Sequence, residues 1–193
     1  MAATMLGKPC PLRDMPCMMI AAASEADIPA ITAIYAHHVL NGTATFEIEP
    51  PDEAEFAHRL RKVNEARAPW LVARGDGGEV LGYAYAAPFR DRPAYRFTCE
   101  NSIYVRHDRL GQGVGRELLA ELLEAACEAG FRQMLAVIGG GEPASVALHE
   151  AAGFEHAGRM RSVGRKFGRW LDTVYMQRAL GDGDRTAAEE EPG

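Results

Sequence analysis

The amino-acid sequence predicts an α/β or α+β domain built around one mixed sheet. Strand-like runs outnumber helical ones, a glycine-rich turn joins two of them as a hairpin, and amphipathic helices separate others. With 193 residues, 47% of them hydrophobic and 25% charged, the chain suits one soluble globular domain with its own core.

The elements follow in order. CMMIAAA (17–23) is a short strand. SEADIPAITAIYAHHVL begins a helix with Ser24 as N-cap and Asp27 at the capping-box position, and Ile28, Ile31, Ile34 and Tyr35 recur at helical spacing. Asn41-Gly42 ends it. PDEAEFAHRLRKVNEA (51–66) is a second amphipathic helix with acidic residues in its first turn. WLVARGDGGEVLGYAYAAPF reads as two strands around Gly75-Asp76-Gly77-Gly78, and YRFTCENSIYV (95–105) as another strand. The next helix carries the apolar stripe Leu118, Leu119, Leu122, Leu123 and Ala126, while Glu117, Glu121, Glu124 and Glu128 form a solvated face. FRQMLAVIG (131–139) is a buried strand, and EPASVALHEAAGF (142–154) a short helix with Pro143 at its start and Gly153 as its stop. RWLDTVYMQRAL is strand-like again. Residues 1–17 read as a flexible leader and the acidic 181–193 as a disordered tail, leaving 18–180 as the domain.

Composition also excludes. A net charge of −6 argues against a nucleic-acid binder or a partner of anionic membranes. No apolar run approaches the ~18 residues of a membrane span. The four cysteines form no CxxC pair and the six histidines no HExxH, so no metal is expected and the thiols read as reduced and cytoplasmic.

RLGQGVGRELL (109–119) sets three glycines on alternate positions before the clearest helix. It is not a Walker A loop, since Arg116 stands where the second glycine is needed, and Gly115 is misplaced for a dinucleotide fingerprint. Two readings stand: a cradle of helix N-terminal amides for an anion such as pyrophosphate, or a tight strand-to-helix turn.

IYVRHDRLGQGVGRELLAELLEAACEAGF resembles the acetyl-CoA-binding motif of the GNAT superfamily of N-acetyltransferases, and SVALHEAAGF its following motif. YAYAAPFRDRPAYRFTCENSIYV and VGRKFGRWLDTVYMQ are similar to the phosphinothricin and methionine sulfoximine acetyltransferases, over about residues 18 to 180. The resemblance implies a single GNAT-like domain with a mixed, mostly antiparallel sheet flanked by helices, two of its strands splayed to admit acetyl-CoA. It places pantetheine along Ile103, Tyr104 and Val105, and pyrophosphate on Gly111, Gln112, Gly113, Val114, Gly115 and Arg116, with Glu142 and Ser145 nearby. Leu110 departs from the family's usual Gln or Arg, and Glu142 stands where an Asn is usual.

Amine acetylation calls for a base, because an α-amine of pKa ~7.7–8.0 is mostly protonated at pH 7. Glu100 shares a strand face with Thr98, Ser102 and Tyr104. By pattern it is either a solvent-facing carboxylate or that base, and the resemblance implies the base. His149 stands five residues before Phe154, where the resemblance implies a second catalytic group. His37-His38 reads as helix surface or pocket wall. The resemblance assigns substrate contacts to Arg92, Pro93, Ala94 and Tyr95, with Phe46 as an aromatic pocket residue, and Arg90 and Arg96 read as ordinary loop cations.

The expected activity is acetyl transfer from acetyl-CoA to the α-amine of a small L-amino acid or analogue, by direct transfer in a homodimer, with a role in antibiotic or herbicide resistance. Two alternatives are acetylation of a polyamine or protein N-terminus, which acidic binding surfaces would favour, and a catalytically silent CoA-binding sensor, which CoA binding without turnover would support.

Overall fold

The computed structural model describes residues 18–187; the expected leader, 1–17, and residues 188–193 lie outside the described residues. The elements are β1 (Met19–Ala22), α1 (Ile28–Asn41), α2 (Glu53–Glu65), β2 (Trp70–Arg74), β3 (Val80–Pro88), β4 (Thr98–Val105), α3 (Val114–Glu128), β5 (Gln133–Gly139), α4 (Pro143–Ala151), β6 (Glu155–Lys166) and β7 (Arg169–Ala179). Among the described residues the strands form one seven-stranded sheet in the order β1-β2-β3-β4-β5-β7-β6. Every neighbouring pair is antiparallel except β4 and β5, which run parallel because α3 carries the chain back between them. The expected mixed, mostly antiparallel sheet flanked by helices is what forms.

Local chemistry explains the elements and moves some of their bounds. Asp27 accepts hydrogen bonds from Ser24 N and Oγ, both at 2.9 Å, and an ion pair from Arg74 at 2.5 Å. That capping box opens a 3₁₀ turn over Glu25–Asp27, so α1 starts at Ile28 rather than directly after Ser24. Asp52 caps α2 by accepting from Glu55 N at 2.8 Å. The strand expected over 95–105 starts only at Thr98, because Pro93–Tyr95 turn as a 3₁₀ segment. Likewise β5 starts at Gln133 rather than at Phe131.

β6 is the strand that the pattern does not announce. Its residues are almost all exposed and show no alternation, so pairing with β7 is what holds it. Phe167 and Gly168, at φ 49° and 75°, make the two-residue turn between them. Asp172 accepts from Ser162 N at 2.9 Å and from Arg159 Nε at 2.7 Å, holding a bulge where Ser162 has φ 52°. In the segment 181–193, Arg132 reaches Thr186 Oγ1 at 2.9 Å and the Ala187 carbonyl at 3.1 Å.

The core has two layers. On one face, Tyr83 and Tyr104 meet Tyr35 of α1 and Phe56 of α2 edge-on or tilted. On the other lies α3, whose Leu118, Leu119 and Leu122 are fully buried. Each such leucine contributes ~1.5–3 kcal/mol by leaving water.

Candidate active site

β4 and β5 pair from Thr98↔Gln133 only as far as Asn101↔Ala136, yet β4 continues to Val105 and β5 to Gly139. Beyond Asn101 the two strands diverge and leave a slot. It is lined by Asn101, Ser102, Ile103 and Tyr104 of β4, Ala136, Val137 and Ile138 of β5, and Glu142, Ser145 and His149 from α4 and its approach; Ala44 closes one side. Phe89 N bonds the Thr98 carbonyl at 3.0 Å and Arg106 N the Leu81 carbonyl at 2.8 Å, so strand alternation turns the peptide groups of Ile103 and Val105 away from β3. The Val105 carbonyl accepts a 2.8 Å hydrogen bond from His38 Nε2. His38 is thereby tied to the β4 backbone, while its neighbour His37 stacks on His107 with ring centroids 4.0 Å apart. Burial chiefly lowers the His38 pKa, and the two neighbouring histidines add to that against the raising effect of the Val105 carbonyl.

The glycine loop enters α3 at this end of the slot. Gly111 and Gly113 have φ of 71° and 87°, backbone that L side chains rarely adopt, and a Cβ on Gly111 would meet no atom within 4 Å. Gly113 is the N-cap of α3. Val114 turns its side chain into the core, and Gly115 packs near Val105 and Leu148. Gln112 donates to the Asp108 carbonyl at 3.2 Å, and the Arg116 guanidinium pairs with Glu117 at 3.3 Å. Arg116 N already bonds the Gly113 carbonyl at 3.0 Å, so the amides ahead of it, beside the open space at Gly111, are the ones that fit the pyrophosphate of coenzyme A.

Glu100 and His149 approach from opposite faces of the sheet. Alternation along β4 puts Glu100 with Ser102 and Tyr104 on the α1–α2 face, and Asn101 on the α3–α4 face. Burial raises the Glu100 pKa above its ordinary value, and the nearby Arg90 charge opposes that shift. Arg90, expected to be an ordinary loop cation, lies with its guanidinium over the Phe89 ring at 4.4 Å. His149 is 3% exposed, and its burial lowers its pKa against the raising effect of the Ser145 carbonyl.

The substrate-side residues lie outside the slot lining. Arg92, Pro93, Ala94 and Tyr95 form an exposed turn, with Tyr95 edge-on to Phe89 at 5.7 Å. Phe46 sits between two glycines, and a Cβ on Gly164 would come within 2.3–2.9 Å of its ring. Its loop is clamped by Lys166, whose Nζ donates to the Thr45 carbonyl at 2.9 Å. Sequence reasoning missed Asn101, Lys166 and the His38 contact. A buried asparagine in mid-strand was a signal, since an amide there needs partners; the other two contacts span 67 and 121 residues and have no local signature.

Fold and slot together define an acetyltransferase of the GNAT class. The acetyltransferase (GNAT) domain model matches residues 20–175, and the chain belongs to that family. Within it, the chain is 56% identical over 167 residues to the phosphinothricin N-acetyltransferase of Alcaligenes faecalis, covering 86% of this chain and 84% of that one. It is 45% identical to the L-methionine sulfoximine/L-methionine sulfone acetyltransferase of Pseudomonas aeruginosa, over 80% of this chain and 90% of the other. A GNAT superfamily phosphinothricin acetyltransferase from Sinorhizobium meliloti, solved in complex with AcCoA, superposes with a TM-score of 0.88 at 50% identity, over 90% and 94% of the two chains.

Among the described residues, no helix is long and apolar enough to cross a membrane, and no group of three or more His, Cys, Asp or Glu could hold a metal ion.

Proposed function

We propose that this protein transfers acetyl from acetyl-CoA to the α-amine of a small L-amino acid analogue of the phosphinothricin, methionine sulfoximine or methionine sulfone type. The observation that carries the reading is the divergence of β4 from β5 directly after Glu100 and Asn101, with His149 at the same point from the other face. The relatives named above support the substrate class.

Acetyl-CoA supplies a thioester carbonyl for attack. Ile103 and Val105 would hold its arm by peptide hydrogen bonds, and the α3 N-terminus from Gly111 to Arg116 its pyrophosphate. Glu100 takes a proton from the amine nitrogen as the C–N bond forms, and its raised pKa makes it a better base than an ordinary carboxylate. Direct transfer suits the local thiol. Cys99 is fully buried, and burial pushes its pKa up to about 12, which leaves it no thiolate to carry an acetyl group at neutral pH. Arg90, Arg92 and Tyr95 are the groups suited to the substrate's acidic oxygens.

A homodimer belongs to the same proposal. β6 is an edge strand that exposes Met160 and Val163, with Phe167 and Trp170 exposed at its turn and on β7, and a second copy of the chain is the occupant that would cover them. Sedimentation equilibrium at micromolar concentration tests it, and a monomer would refute it.

The functional test is CoA release from acetyl-CoA against methionine sulfoximine, methionine sulfone, phosphinothricin, natural amino acids, spermidine and a peptide. Turnover confined to the amino-acid analogues supports the reading. Preference for spermidine or the peptide would overturn the substrate class, and silence with CoA still bound would overturn the activity.

A further inference from the structure

A chain of hydrogen bonds runs across the floor of the slot. His149 Nδ1 lies 2.7 Å from the Ser145 carbonyl, and its Nε2 lies 3.1 Å from Asn101 Oδ1. Asn101, 6% exposed, places its Nδ2 3.2 Å from the Leu135 carbonyl. A carbonyl only accepts, so Nδ2 donates to Leu135 and fixes the amide; turned round, Oδ1 would face another carbonyl oxygen. Both ring nitrogens of His149 therefore face carbonyl oxygens. With one hydrogen directed to Ser145, the Asn101 contact is a hydrogen bond only if Nε2 carries a second. The imidazolium satisfies both; the neutral ring that keeps its hydrogen on Nε2 satisfies Asn101 and leaves Nδ1 to accept from the Ser145 hydroxyl, whose Oγ lies 3.5 Å away.

We propose that Asn101 is a positioning residue for His149: its side-chain carbonyl, aimed by Leu135, orients the imidazole in the slot and holds a proton on Nε2. The proposal rests on the slot being the acetyl-transfer site and names the group that prepares one side of it. With Nε2 protonated, His149 turns an N–H toward Asn101, and whenever the ring is charged it sets positive charge beside the sulfur that takes up the electron pair when the C–S bond breaks. Glu100 takes the proton that the amine loses, so His149 need give none up.

The surroundings leave Asn101 as the lever. From β4 the slot receives Ser102 and Tyr104, from β5 the apolar Ala136, Val137 and Ile138, and from the approach to α4 the carboxylate of Glu142. The Phe154 ring stands edge-on to the imidazole at 4.9 Å. Arg116, Glu124 and Arg178 line a separate groove beside Leu148 and Ala151. Burial lowers the His149 pKa and the Ser145 carbonyl opposes that shift; the Asn101 carbonyl oxygen facing Nε2 is the further acceptor that favours a proton there.

The test is the titration of His149 in the full-length protein, followed by NMR of ¹⁵N- and ¹³C-labelled histidine and assigned by loss of the signal in His149→Gln. The near-isosteric Asn101→Leu should lower the midpoint by about one to two pH units. Asn101→Asp should raise it, with the Nε2 resonance keeping its protonated position to higher pH. If Asn101→Leu does not fold, the ring-nitrogen shifts of the wild type decide: a neutral Nδ1–H ring at pH 5 overturns the proposal. Midpoints unmoved in both variants overturn it as well. If they move as expected while Glu100→Gln still turns over normally, the Asn101–His149 pairing stands and the catalytic assignment of Glu100 falls, so the two failures are distinguishable.

Discussion

Gly164→Ala links a single methyl group to amine recognition. Gly164 has ordinary backbone, so alanine brings no conformational strain there, only a Cβ. That atom would lie 2.3, 2.5 and 2.9 Å from three carbons of the Phe46 ring. Carbon pairs rest at about 3.5–4.0 Å, so the ring must move by more than about 1 Å. Retreat the other way is limited, because the backbone of Gly139 stands there, close enough that a Cβ on it would lie 3.2 Å from the Phe46 ring. Phe46 is 36% exposed, and outward movement is the open route. The stability loss should then stay near 1 kcal/mol, the low end for overpacking, or about 2–4 °C in Tm for a chain this size. A pocket wall displaced by 1 Å should cut kcat/KM for the amine by ~10–10², with the KM for acetyl-CoA unchanged. The assay is thiol release with each substrate varied at saturating levels of the other. Gly158→Ala, where a Cβ meets no atom within 4 Å, serves as the silent control. An amine kcat/KM within twofold of wild type in Gly164→Ala would refute the placing of Phe46 beside the amine.

Gly113→Val should act on the other substrate. A branched residue at φ 87° strains the entry to α3 and fills space at its N-terminus, so the KM for acetyl-CoA should rise ~10-fold or more with little change in that for the amine; equal effects on both would contradict the cradle. Leu122→Ala removes a fully buried side chain from the α3 stripe and should cost ~2–5 kcal/mol in urea unfolding with no shift in either KM. For pH, the base must be ionised, so kcat/KM should fall as pH drops through the Glu100 pKa, which burial holds above the ordinary carboxylate value. The stability sign is the reverse: a raised folded-state pKa favours the protonated form, so this contribution is present below the unfolded pKa and lost as pH rises through the folded one. Glu100→Gln should therefore melt no lower than wild type at pH 7–8, and a clear drop in Tm would count against a buried, desolvated carboxylate.

Much of the architecture was legible because it rests on short-range signals. The α3 stripe needed only 3.6-residue spacing, the β2–β3 hairpin only its glycine turn, and α2 only its amphipathic run with acidic residues in the first turn. β6 was not legible, since exposed residues on both faces leave no alternation to read and its pairing depends on β7. At the site, alternation along β4 separated Glu100 from Asn101, but nothing in the sequence showed that the Asn101 amide bridges His149 and Leu135 across 48 and 34 residues. Nor could the basic stretch at 90–96 be ranked from its composition. Of its arginines, Arg90 is the one whose charge opposes the rise in the Glu100 pKa, a through-space effect that no local pattern records.

The central claim, acetyl transfer in the β4–β5 slot with Glu100 as base, is tested most directly by Glu100→Gln measured for turnover and for acetyl-CoA binding in the same preparation. A fall in kcat of ~10²–10⁴ with acetyl-CoA affinity kept within about twofold is the predicted result. Turnover near that of the wild type, at unchanged affinity, would contradict it.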